Sequence, residues 1–374
     1  MKIGILTLPL RSNYGGNLQA YALWRVLTDL GHDVVLIRRD YGEPEYSVSL
    51  KLIRIIFKKF LAICGYNPWR KKQKYYSISS SLHTKFIEDN IKLTPRFNTS
   101  SLMTKWLSKN PQDVIIVGSD QVWRYIISPN IYNYFLSFVD GNTKKIAYAA
   151  SFGTDSWEMG EKRTKECSHL AKCFTKISVR ESSGVDLCRR YLGVSAIQLV
   201  DPTMLLSKDH YLNICKKYNE FKSGGQLFYY FLDENDKKKE LLSIGVKSLN
   251  NVAFTCMPER QYLDKYFANK PDDYVYPPIS KWLQSFVDAE FVLTDSFHGC
   301  VFSILFNKPF YVVLNKERGL ARFDTLLSIF RLKERIIDPD NFNNIDWLKS
   351  VDWDFVNHEL DRQRERSLEF LSNI

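Results

Sequence analysis

Paired cysteines are missing from this sequence. The seven that occur, Cys64, Cys167, Cys173, Cys188, Cys215, Cys256 and Cys300, stand in no CxxC or other paired spacing. An odd, scattered set argues against a disulfide framework or a zinc site and for reduced thiols in the cytoplasm. No uncharged run approaches the ~18 residues of a membrane-spanning helix. The apolar stretch Met1–Leu8 is too short for a secretory signal, and no small-residue cleavage pattern follows it. HExxH, HxH, the P-loop and GxSxG are all absent, and the aspartates form no DxD cluster in a suitable loop. These absences leave no sign of metal dependence, nucleotide hydrolysis or a serine-hydrolase elbow. Acidic residues are also missing from one long segment. Between Tyr46 and Ile87 there is no Asp or Glu, while Lys51, Arg54, Lys58, Lys59, Arg70, Lys71, Lys72, Lys74 and Lys85 stand there. Those nine charges nearly account for the net +10 of the whole chain.

What is present is alternation. The 374 residues are about two domains' worth, and 45% hydrophobic with 25% charged residues is the balance of a globular protein with a large core. Apolar strands are expected at Lys2–Leu8, Asp33–Arg38, Asp113–Val117, Lys145–Ala150, Lys176–Arg180 and Ile197–Val200, with helical periodicity between most of them. Leu23, Val26, Leu27 and Leu30 are one such helical set, ended by Gly31. Lys208–Phe221 reads as a connecting helix and Ser223-Gly224-Gly225 as a hinge. Alternation then restarts, with strands at Leu227–Leu232, Asn251–Thr255, Glu290–Thr294 and Phe310–Leu314. Such β-α alternation predicts parallel sheets covered on both faces. The fold class expected is α/β, two Rossmann-like domains facing each other across a cleft. The first would span 1–205 with a basic amphipathic insertion at about 46–87. A linker helix and hinge would follow at 206–225, a second domain at 226–345 and a helical tail at 346–374.

Ligands of open α/β sheets bind beyond the carboxyl ends of the strands, where helix N-termini favour anions. Four strand ends here carry chemistry. Asn13-Tyr14-Gly15-Gly16-Asn17 lets backbone approach a ligand closely, or is a plain turn capped by Asn17. In Gly118-Ser119-Asp120-Gln121-Val122-Trp123, Asp120 is a general base, a sugar-hydroxyl ligand or simply a helix cap, and Trp123 suits stacking on a sugar. Arg180, at the end of Ser178-Val179-Arg180-Glu181, is either a fork for carboxylate or phosphate or the partner of a nearby acid. Thr294-Asp295-Ser296-Phe297-His298-Gly299 is a cap with a packed histidine or a catalytic turn. Of the six histidines, His298 alone has this setting.

In this order the motifs resemble the polysaccharide pyruvyl transferase family. The matching residues are Asn13-Tyr14-Gly15 with Leu18–Leu23, Gly118–Trp123, Tyr148-Ala149-Ala150-Ser151-Phe152-Gly153, Ser178–Glu181, Asp201-Pro202-Thr203 and Asp295–Gly299. Arg322 in Leu320-Ala321-Arg322-Phe323 completes the set. The resemblance covers roughly residues 1–330. It implies a GT-B-like arrangement and transfer of an enolpyruvyl group from phosphoenolpyruvate to a sugar, usually closing to a cyclic ketal, with no cofactor. It maps the family's histidine onto His298 and its donor-binding arginine onto Arg180. It also exposes a departure, since Ser296 stands where better-studied members carry an arginine. Arg318, Arg322 or Lys308 are the available substitutes.

The expected chemistry follows. His298 acts as proton donor or phosphate-binding acid, with Asp120 as base. Arg180, Ser296, Gly15, Gly16, Asn17, Gly299 and Arg322 bind the donor, and Trp123 and Gln121 the acceptor. Within Leu50–Leu61, Ile53, Phe57, Phe60 and Leu61 share an apolar face opposite Lys51, Arg54 and Lys58. That pattern suits either an ordinary core-facing helix or one lying on an anionic membrane surface, and Trp69–Tyr76 would extend the surface. The partners expected are phosphoenolpyruvate, a lipid-linked sugar and the inner face of the cell membrane, without nucleic acid. The competing class is a nucleotide-sugar glycosyltransferase of polysaccharide synthesis on the same scaffold.

Overall fold

The computed structural model of the chain describes residues 1–41, 68–314, 319–342 and 345–374, so the expected basic helix at 50–61 lies outside the described residues. Seven parallel strands form one sheet in the order β3-β2-β1-β4-β5-β6-β7. They are β1 (Lys2–Leu6), β2 (Asp33–Arg39), β3 (Leu93–Phe97), β4 (Val114–Val117), β5 (Lys144–Ala150), β6 (Lys176–Val179) and β7 (Ile197–Gln198). Five parallel strands form a second sheet, ordered β12-β11-β10-β8-β9. They are β8 (Leu227–Tyr230), β9 (Ala253–Phe254), β10 (Phe291–Thr294), β11 (Phe310–Val313) and β12 (Ile336–Ile337). β4 and β10 are buried at every position, as strands covered by helices on both faces must be. The α/β class with two parallel, Rossmann-like sheets is what the strand orders show.

The helices used below are α1 (Tyr14–Asp29), α2 (Pro68–Ser79), α3 (Ser81–Asn90), α4 (Ser100–Lys109), α5 (Glu161–Ala171), α6 (Ser182–Leu187), α7 (Lys208–Lys217), α8 (Asp236–Leu249), α9 (Ile279–Asp288), α10 (Phe297–Leu305), α11 (Ala321–Ile329) and α12 (Trp353–Ser372). Two starts differ from the sequence reading and matter for the site. Asn13, not Asn17, caps α1, its side chain accepting the Gly16 N–H at 3.0 Å. Gly15, Gly16 and Asn17 are therefore helical. Ser296 caps α10, which puts His298 inside the first helical turn rather than before it. β3 was not anticipated, because Thr94, Pro95 and Arg96 interrupt any apolar pattern. It is an edge strand, where proline is tolerated.

α1 is wedged between the two units. The Tyr14 ring stacks on Trp282 of α9 at 5.2 Å, and its hydroxyl lies 3.0 Å from the carbonyls of Cys256 and Pro277. α9 presents Ile279, Trp282, Leu283 and Phe286 at helical spacing to the same core. One apolar cluster consequently runs from Ile5 of the first sheet through Trp282 and Phe302 to Leu371. α12 crosses back to the first unit. Its Arg364 donates to the Met204 carbonyl at 3.1 Å, and Lys176 donates to the Asn373 carbonyl at 2.7 Å. Buried Val356, Leu360 and Leu371 hold it there, each side chain contributing about 1.5–3 kcal/mol.

Candidate active site

Both sheet orders contain a point where the order reverses, between β1 and β4 in the first and between β8 and β10 in the second. A crevice opens beyond the carboxyl ends of strands at such points. Here the ends of β4, β5, β6, β7 and β10 bring Asp120, Ser151, Arg180, Glu181, Asp201 and His298 together, with α1 alongside.

Asp201 is the hub. Its Oδ2 accepts from Arg180 Nη1 at 2.8 Å and from Ser119 Oγ at 3.3 Å, and lies 3.6 Å from His298 Nε2. Its Oδ1 accepts from the Thr203 N–H and hydroxyl at 3.1 and 2.8 Å. Burial pushes this carboxyl up, but His298 and Arg180 together win and hold it well below the usual carboxylate range. Arg180 has the converse balance. Burial favours its neutral form, and Asp201, Asp120 and Glu181 outweigh that, raising its pKa. Its guanidinium lies 4.4 Å over the Phe297 ring, and Nη2 is 3.8 Å from Asp120 Oδ1. Glu181 Oε1 accepts from Ser151 Oγ and from the N–H groups of Phe152 and Gly153 at 3.0, 2.6 and 3.0 Å. Arg322 arrives from α11 and is drawn down to about 10 by burial and then by the charge of Arg180. Its guanidinium is 5.8 Å from the same Phe297 ring.

Several buried polar atoms in this cluster make no hydrogen bond: Arg180 Nε and Nη2, His298 Nε2 and Glu181 Oε2, with Nη2 and Nε2 only within 3.8 and 3.6 Å of Asp120 and Asp201. A buried donor without an acceptor costs about 1–3 kcal/mol. Two of these nitrogens belong to the Arg180 guanidinium, and together with His298 Nε2 and the nearby Arg322 guanidinium they can receive an anion. His298 Nε2 stands 3.6 Å from Asp201 Oδ2, too long for a hydrogen bond.

The other expected site residues divide. Asp120 sits in the cluster with φ +67, a left-handed conformation that Asp tolerates, and Oδ1 accepts from the Gln121 N–H at 2.8 Å. Gly15 touches His298 directly, for a Cβ there would lie 2.0 Å from Nδ1. Gly16 and Gly299 do not offer amides to a ligand, because both N–H groups are engaged in caps, to Asn13 Oδ1 and to Ser296 Oγ. Ser296 is that cap. Asn17 turns away from the cluster toward His83 and the Arg11 carbonyl. Trp123 cannot stack on a sugar. It is 1% exposed, stacked on Phe135 at 5.0 Å with Nε1 donating to the Tyr134 carbonyl. Gln121 is half-buried, accepting from Arg124 at 3.2 Å. Lys308 lies beyond the far end of α10 and donates to the Val287 carbonyl, while Arg318 lies outside the described residues. Asp201 and Glu181 had not been singled out as site residues, although their motifs, Asp-Pro-Thr after β7 and Arg-Glu after β6, were visible. Among the described residues no group of three or more side chains could hold a metal ion, and no helix is long and apolar enough to cross a membrane.

The family model described as polysaccharide pyruvyl transferase matches residues 13–317, a span that contains every residue of the cluster except Arg322. No curated protein matches the chain. Among solved structures, UDP-GlcNAc 2-epimerase from Methanocaldococcus jannaschii is 12% identical with a TM-score of 0.49, over 96% of this chain and 92% of that one. The trehalose-6-phosphate phosphatase N-terminal domain of Candida albicans is 11% identical with a TM-score of 0.49, over 100% and 95%. UDP-N-acetylglucosamine 2-epimerase from Rickettsia bellii is 11% identical with a TM-score of 0.42, over 99% and 97%.

Proposed function

The chain belongs to the polysaccharide pyruvyl transferase family, and from that premise we propose that it transfers the pyruvyl group of phosphoenolpyruvate to two hydroxyls of one lipid-linked sugar, forming a ketal. The observation that carries this reading is the set of unpartnered buried donors on Arg180 and His298, with Arg322 close by. Phosphoenolpyruvate bears a phosphate and a carboxylate on one carbon, and two guanidinium groups flanking one aromatic ring match that pair.

In the proposed reaction Arg180 and Arg322 hold the two anionic groups. His298 Nε2–H protonates C3, which makes C2 electrophilic. Asp120 takes the proton of the first sugar hydroxyl as its oxygen bonds to C2. The C2–O bond to phosphorus breaks, and phosphate leaves with the proton that Asp120 carried. The second hydroxyl then adds to C2, and its proton returns to His298. Asp201, kept ionised, complements the charge of a protonated imidazole and fixes Arg180. The cluster lies among residues no more than 8% exposed, which shields the cationic intermediate from water.

The test is phosphate release from phosphoenolpyruvate with candidate lipid-linked glycans, and detection by mass of a pyruvyl addition to the glycan. His298→Ala should lower turnover by ~10²–10⁴. Near-normal turnover by that variant sinks the mechanism. Release of nucleoside diphosphate from a sugar nucleotide, with phosphoenolpyruvate untouched, sinks the activity. A lipid-linked acceptor also locates the enzyme at the inner membrane face, and failure of the full chain to pellet with anionic vesicles would remove that part.

A further inference from the structure

Of the three carboxylates in the cluster, Glu181 alone has no part in the reaction above. It follows Arg180 directly, stands at the N-cap of α6 and is 0% exposed. Its two oxygens differ. Oε1 accepts from Ser151 Oγ and from the Phe152 and Gly153 N–H groups, at 3.0, 2.6 and 3.0 Å. Oε2 is buried and makes no hydrogen bond. Bonds to a loop need only a neutral acceptor, which a glutamine amide supplies as well. A carboxylate in that place carries the added desolvation cost of a buried charge, and the compensation lies in the cations beside it.

Two contacts bring Arg322 and Glu181 together. The Ser182 N–H, next along the chain from Glu181, donates to Thr325 Oγ1 at 3.0 Å. Arg322 lies one turn before Thr325 on α11, and so on the same helix face. On the other side, the Gly153 amide that Glu181 holds belongs to a residue pressed against Gly319. A Cβ on Gly319 would meet the Gly153 carbonyl oxygen at 2.0 Å, and α11 begins just beyond, at Ala321. Arg180 is the other neighbour. Burial opposes its charge, and Glu181 joins Asp201 and Asp120 in outweighing that. Arg322, drawn down by burial and then by Arg180, is pulled back by Glu181 ahead of Asp120. One carboxylate thus serves two guanidinium groups from different units, which approach the Phe297 ring to 4.4 and 5.8 Å.

We propose that Glu181 is a positioning residue of the donor site, a fixed counter-charge that keeps the Arg180 and Arg322 guanidinium groups together between turnovers and competes with the anion they receive. A carboxylate built in beside two cations repels an incoming anion, most of all a doubly charged phosphate. The inference rests on the pyruvyl-transfer reading for which anion has to leave, the phosphate split from phosphoenolpyruvate. The repulsion itself does not depend on that reading. Its signature is opposite to the loss of a binding group: removing the charge while keeping the loop bonds tightens anion binding and slows release.

The full chain, as wild type and as Glu181→Gln, is titrated calorimetrically with inorganic phosphate and with phosphoenolpyruvate, and its melting is followed with and without phosphate. Glu181→Gln keeps an acceptor for the Ser151, Phe152 and Gly153 donors and loses the charge. It should bind phosphate about tenfold more tightly, and kcat and the KM for phosphoenolpyruvate should fall together as release slows. Glu181→Asp is the converse, keeping the charge and drawing it back from the loop. It should melt lower, yet bind phosphate within about threefold of wild type. If Glu181→Gln folds only when phosphate is present, the anion has replaced the missing counter-charge, which supports the inference. The inference is overturned if Glu181→Gln binds phosphate no more tightly than wild type, or if phosphate does not restore a variant that fails to fold. Tighter phosphate binding by Glu181→Gln, in a wild type that turns over no phosphoenolpyruvate, supports the counter-charge and overturns only the proposed reaction.

Discussion

Gly15→Ala separates the helix from the site it supports. On helix propensity alone the change should stabilise α1 by about 1 kcal/mol. The added methyl, however, would lie 2.0 Å from Nδ1, 2.1 Å from Cγ and 2.6 Å from Cε1 of His298. Non-bonded heavy atoms settle near 3.5 Å, so the imidazole must retreat by roughly 1.5 Å. It has little room, with Asp201 at 3.6 Å and the Phe297 ring edge-on at 5.3 Å. Sliding α1 instead would strain the Tyr14–Trp282 stack. Overpacking of this kind costs about 1–3 kcal/mol, close to what the better helix former returns, so the protein should stay folded. Turnover should not survive equally well, since a ~1 Å misplacement of a reacting group costs ~10²-fold. The assay is single-turnover phosphate release from phosphoenolpyruvate beside thermal melts. Gly16→Ala is the control, its Cβ nearest to the movable Asn13 side chain at 3.2 Å, and it should stay within about threefold of wild type, the small effect expected where a neighbour can give. If Gly15→Ala turns over like wild type, or Gly16→Ala fails equally, the contact is not what positions His298.

Three further outcomes are expected. Asp201→Asn leaves Arg180 without its 2.8 Å partner and should cost about 3 kcal/mol in urea unfolding, with turnover lowered as well; a cost below ~1 kcal/mol, typical of exposed pairs, would remove Asp201 as the hub. Arg180→Lys keeps the charge but not the fork, so the KM for phosphoenolpyruvate should rise at least ~10-fold while the fold persists; an unchanged KM would move donor binding elsewhere. His83 gives a pH dependence whose sign is set by a depressed histidine: the fold accepts the neutral ring, so this stability is complete above pH 6.5 and is lost as pH falls toward about 4, about 3 kcal/mol in all. His83→Gln should flatten that part of the stability profile, and parallel profiles would contradict burial of the neutral ring.

How far the sequence could be read depends on where each signal is stored. Strands β4 and β10 are unbroken apolar runs bounded by polar turns, so their place in a covered parallel sheet was legible locally. β3 was not, since an edge strand holding Thr94, Pro95 and Arg96 is defined by its partner β2 rather than by its own pattern. The strand-end turns were legible because a parallel sheet puts all its carboxyl ends on one side. Which residues in them touch was not. Asp201-Pro202-Thr203 was visible only as a motif after the last strand of the series, and in the structure Asp201 caps a turn through Thr203. Its contacts to Arg180 and His298 exist only once β6, β7 and β10 have converged.

Ser296 carries the same lesson further. By position it lacks the arginine expected two residues before the histidine, and sequence comparison can register only the gap. In space Ser296 closes the cap that puts His298 in the first turn of α10, and the second guanidinium comes from α11, on the ring of Phe297 between them. Two cations around one aromatic face are thereby assembled from β6 and α11. A search for the missing charge along the chain near residue 296 has nothing to find, while Arg322, which the motif order had included, brings a guanidinium to the Phe297 ring from another element.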